Sequence, residues 1–113
     1  MKRPAWVTNE EEWTKLCCQI SARSADLLEK RLGIVDAARQ LSALGHSVRA
    51  SDDADFTTFT AIDSESDHLP IGAVRREWAP DALRQKEAEI HAIEDRWRDA
   101  AFTAARNLLE KYA

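Results

Sequence analysis

From Pro80 to Tyr112 the chain runs without a glycine or a second proline, and its apolar residues return with a helical period. Leu83, Ile90, Trp97 and Ala104 recur at a fixed heptad spacing, with Ile93, Ala101 and Leu108 between them. That spacing puts them on one face of an α-helix. At 1.5 Å per residue the helix is about 50 Å long. Pro80 suits the first helical position, and Asp81 suits the positive end of the helix dipole. Phe102, Ala105 and Leu109 add a second apolar stripe, so the C-terminal half is expected to be buried on two sides. Arg84, Lys86, Glu87 and Glu89 keep one side of the N-terminal half in water. A chain of 113 residues has room for one domain, so the other segments must pack along this helix.

A first long helix is expected over about 8–32. Thr8 and Glu11 match a capping box, and Glu10, Glu11 and Glu12 place negative charge in the first turn. Trp13, Leu16, Cys17, Ile20, Ser24, Leu27 and Leu28 then follow the spacing of one buried face. Gly33 is expected to supply the C-terminal cap. A second helix runs from about Ile34 to Leu44 and is closed by Gly45; one kinked helix through Gly33 is the alternative. Residues 46–53 read as loop. In ADFTTFTAID the spacing of Phe56, Phe59 and Ile62 favours a short helix opened by Ser51, Asp52 or Asp53. A strand there would put Phe56 and Phe59 on opposite faces. Leu69-Pro70-Ile71-Gly72 breaks the chain, and one or two helical turns follow through Trp78.

Composition agrees with this. Three glycines and three prolines are few for a sheet protein, and apolar residues at 44% with charged residues at 32% describe a globular chain. The expected fold is all-α: a compact bundle over 1–113 with two long helices (about 8–32 and 80–112) and two or three short ones. A polar crossover over 46–79 joins them.

Cys17 and Cys18 are adjacent and point about 100° apart on a helix, so they cannot pair with each other in ordinary disulfide geometry. Reduced thiols, no signal-peptide pattern and no apolar run of membrane-span length together suggest a cytoplasmic, bacterial-type protein with no membrane partner. A net charge of −4 argues against nucleic acid as the ligand.

The charge is unevenly placed. Between Arg49 and Arg75 there is no lysine or arginine, yet Asp52, Asp53, Asp55, Asp63, Glu65 and Asp67 all fall there. Asp63-x-Glu65-x-Asp67 opens like a calcium loop, but His68 stands where the glycine belongs and Val74 where the bidentate glutamate belongs. On the long helix His91 shares a face with Glu87, Glu94 and Asp95, but a single His-x-x-Glu is not the paired pattern of bundle metal sites. A solvated face carrying pairs such as Glu94–Arg98 is the simpler reading. Ser64 and Ser66 lie near His68 without any nucleophile signature. No residue set is assigned a catalytic, metal-binding or cofactor-binding role.

Leu69, Pro70, Ile71, Val74 and Trp78 are read as anchors of a rigid joint. Asp63 and Asp67 would cap the flanking turns, with Arg75 or Arg76 neutralising them. The segment IDSESDHLPIGAVRREW, with DADFTTF before it and APDAL after, resembles a segment of small bacterial proteins of uncharacterised activity. The resemblance implies an all-helical, stand-alone domain and brings no functional residues. From charge alone, the expected function is a protein-binding module, of the immunity or antitoxin kind, that inhibits a basic partner. Asp52, Asp53, Asp55, Asp63, Glu65, Asp67 and His68 would form its binding surface. The rival expectations are a metal-dependent hydrolase using Asp63, Glu65, Asp67 and His68, and a homodimer joined through the double-striped half of the long helix.

Overall fold

A computed structural model describes residues 4–69 and 78–113. Pro70, Ile71, Gly72, Val74, Arg75 and Arg76, all expected in the joint, lie outside the described residues. The described residues form four helices and no strand: α1 (Glu10–Leu28), α2 (Ile34–Ser47), α3 (Ala54–Ser66) and α4 (Pro80–Tyr112). The layout is one long helix and three shorter ones, because α1 is 19 residues and stops before Leu32.

The contacts fix the direction of each helix. Arg39 of α2 reaches Asp63 of α3, Ser42 meets Thr60, and Gly45 lies against Phe56, so α2 and α3 form an antiparallel hairpin. Asp55 of α3 meets Asn107 and Lys111 of α4, while Glu65 meets Trp97, so these two also run antiparallel. Trp13 and Cys17 of α1 border the same recess as Tyr112 near the end of α4. The result is an up-down-up-down bundle. Two large rings, Phe56 and Phe59, are fully buried with Ile20, Leu27, Leu41, Ile62 and Leu108. Each such side chain contributes about 1.5–3 kcal/mol by leaving water.

Several local expectations are corrected. Asn9, not Thr8, caps α1: its side-chain oxygen accepts from the Glu12 N–H at 3.0 Å. Gly33 does not end α1 but is the N-cap of α2, with an extended backbone. The chain leaves α1 through Lys30, at φ 62°. Lys30 N–H donates to Leu27 and Arg31 N–H to Asp26, the two bonds of a Schellman ending. Gly45 does not close α2 either. The helix continues to Ser47 and repeats the same ending at Arg49, at φ 55°, with Arg49 N–H on His46 and Ala50 N–H on Gly45. Gly45 is needed for space: a Cβ there would stand 2.7 Å from the Phe56 ring.

α3 is longer than the three spaced apolar residues implied and runs on to Ser66. Residues 54–66 of the expected crossover are therefore a packed helix. Of the joint anchors among the described residues, Leu69 is buried and Trp78 half-buried. On α4 Ala101, Ala104 and Leu108 of the first stripe are buried, while in the second stripe Ala105 is buried and Phe102 and Leu109 are half-buried. Trp97 is also half-buried rather than central to the stripe.

Candidate functional site

The acids of the 52–67 stretch fall into two groups. Asp53 caps α3, accepting from the Asp55 N–H at 2.8 Å, and it also accepts from Lys111 at 3.1 Å. Asp55 is buried and accepts from Lys111 Nζ at 2.8 Å and Asn107 Nδ2 at 3.0 Å. Asp63 faces α2, where Arg39 Nε donates to it at 3.1 Å and Arg39 Nη2 continues to the Ser66 carbonyl at 3.0 Å. Glu65 faces α4, taking the Trp97 indole N–H at 2.8 Å and an ion pair with Arg96. These four carboxylates fasten α3 to its neighbours. Sequence distance concealed this, because every partner cation comes from another helix.

Asp52, Asp67 and His68 form the second group, all exposed. His68 Nε2 stands 3.5 Å from Glu89 on α4 and its Nδ1 3.9 Å from Asp67. The seven residues expected as one binding surface are thus separated. The proposed hydrolase set is divided too, with Asp63 and Glu65 turned towards different helices. Among the described residues no group of three or more His, Cys, Asp and Glu side chains could hold a metal ion.

Electrostatics follow the geometry. Burial pushes the Asp53 carboxyl up, but the Asp55 N–H and the Lys111 ammonium outweigh it and hold the group below the usual carboxylate range. Hydrogen bonds to Asp55 and then Asp53 raise Lys111. Burial, and then the charge of Asp53, raises the Tyr112 hydroxyl. Cys17 is half-buried and its thiol is raised by burial, whereas Cys18 is exposed.

On α4, Glu94 turns inward and its Oε2 accepts from the Val35 N–H at 3.2 Å. It supplies the capping carboxylate that Gly33 cannot provide to α2. Arg98 pairs with Asp95 at 2.6 Å instead of with Glu94.

A second surface was not singled out by sequence reasoning. Trp6 precedes α1, is 36% exposed, and is the only exposed large hydrophobic side chain among the described residues. Its ring meets the buried Trp13 edge-on at 5.7 Å and 88°. Arg49, from the end of α2, lays its guanidinium over Trp6 at 4.5 Å from the ring centre. Trp6, Trp13, Leu16, Glu12, Ser47 and Arg49 border a recess of about 370 Å³. The available signal in the sequence was an aromatic residue outside every helical stripe.

No protein-family model matches the chain, and no curated protein or solved structure matches it either. No residue role is therefore carried over from another protein.

Proposed function

We propose that the protein is a small protein-binding module whose partner presents a basic surface. The observation that carries this reading is the exposed tryptophan, Trp6, standing beside carboxylates that are not committed to holding the bundle together. Glu11 and Glu12 are exposed on the first turn of α1, and Asp52 is exposed in the turn after Arg49. Exposed aromatic side chains are favoured anchors in protein interfaces, and uncompensated charge beside them steers an oppositely charged partner. The binding acids are a smaller set than charge counting along the chain implies. Asp53, Asp55, Asp63 and Glu65 have internal cations, so they contribute to the fold before they contribute to any field.

The test is affinity purification from the source cells, followed by association rates for the captured protein at low and high salt. Salt should slow the wild-type reaction, since exposed charges are screened over about 8–10 Å at ordinary ionic strength. The Glu11→Gln, Asp52→Asn variant should associate more slowly with unchanged helicity. A partner that is not basic, or an association rate indifferent to salt, would refute the reading.

A further inference from the structure

We infer that the recess between Trp6 and Trp13 receives an arginine side chain of the basic partner, and that Arg49 occupies this seat in the isolated protein. The inference rests on the reading of the protein as a module for a basic partner, and it names the contact that recognition turns on.

The Trp6 face already holds a guanidinium. Arg49 lies 4.5 Å from the ring centre, within the range of a cation–π contact. Among the described residues it has no carboxylate partner, so the aromatic face alone positions it. The ring beneath is fixed, because Trp6 abuts Trp13 edge-on and Trp13 is itself in the core at 6% exposure. The backbone carrying Arg49 is at φ 55°, a conformation that suits glycine and disfavours arginine. A long cationic side chain therefore stands where the backbone alone would favour glycine.

The walls select for charge. Glu12 borders the recess, Glu11 precedes it on the same exposed turn, and Asp52 follows Arg49 in the α2–α3 turn. An anionic ligand would meet Glu12 at the rim. An incoming arginine would keep the aromatic contact and gain a carboxylate partner, a combination in which the planar guanidinium outperforms an ammonium. The cavity of about 370 Å³ has room for that side chain once Arg49 swings out to solvent.

The experiment is calorimetric titration of the full chain with a glycine-spaced arginine peptide, and with the same peptide carrying neutral citrulline. Wild type should bind the arginine peptide and not the citrulline one. Trp6→Ala should weaken binding by about ten-fold or more, and Glu12→Gln, which leaves the packing intact, by several-fold. Arg49→Gln should strengthen binding by about two- to five-fold, the factor set by an exposed cation–π contact that no longer competes. Circular dichroism confirms that each variant is folded. Weaker binding by Arg49→Gln, or unchanged binding by Trp6→Ala, would overturn the inference. If the arginine peptide fails to bind while the captured partner still associates in a salt-dependent way, the recess falls and the wider reading stands. If neither binds, both fall.

Discussion

Two backbone positions show how single residues set this fold. Lys30 ends α1 in the left-handed region at φ 62°, where a side chain is strained and glycine is not. Its N–H already donates to the Leu27 carbonyl, and the side chain is exposed. Lys30→Gly should therefore stabilise the protein by about 1 kcal/mol, read as a higher urea midpoint. Gly45 is the opposite case. It lies inside α2, where alanine is normally favoured over glycine by about 1 kcal/mol. Here the added Cβ would meet the buried Phe56 ring at 2.7 Å. Overpacking of this kind costs about 1–3 kcal/mol, so Gly45→Ala should lower the midpoint in spite of its helix propensity. An unchanged or raised midpoint would show that the α2–α3 contact is looser than described.

At the level of the helices, the N-terminus of α1 separates two cap assignments. Asn9→Ala should cost about 1 kcal/mol, because Asn9 holds the Glu12 N–H, while Thr8→Ala should be close to neutral. Equal losses at both positions would restore the Thr8 cap. The register of α4 was legible because its stripes are long, and Phe56, Phe59 and Ile62 marked α3 by their spacing alone. Helix ends were not legible, for a physical reason. Gly33 and Gly45 looked like stop signals, but the left-handed positions went to Lys30 and Arg49, which the surrounding hydrogen bonds hold there. The acids misled for a related reason. Counting charge along the chain cannot reveal that Arg39, Arg96 and Lys111 arrive from α2 and α4. The Trp6 surface escaped notice because it belongs to no periodic pattern.

Over the whole molecule, these internal ion pairs give stability a pH dependence of known sign. The Asp53 carboxyl is depressed in the folded state, so its contribution is present above about pH 4 and lost as acid protonates it below that value. Lys111 and Tyr112 are both raised. Their contributions are present below the unfolded values of about 10.4 and 10 and are lost as pH rises through the higher folded ones. Urea midpoints should thus be flat across neutral pH and fall at both extremes. Asp53→Asn, which keeps a capping oxygen on α3, should flatten the acid limb specifically.

The division of the acids into internal fasteners and free surface charge has its most direct test in two amide variants compared in urea. One changes Asp53, Asp55, Asp63 and Glu65 to their amides; the other changes Asp52 and Asp67. Hydrogen bonds to charged groups contribute about 1.5–3 kcal/mol each when shielded and less when exposed. The four-residue variant should lose several kcal/mol and its midpoint should drop sharply, while the two-residue variant should unfold with wild type. Equal midpoints for the two variants would contradict the account, because the acids would then form one solvated surface with no part in holding α3 to α2 and α4.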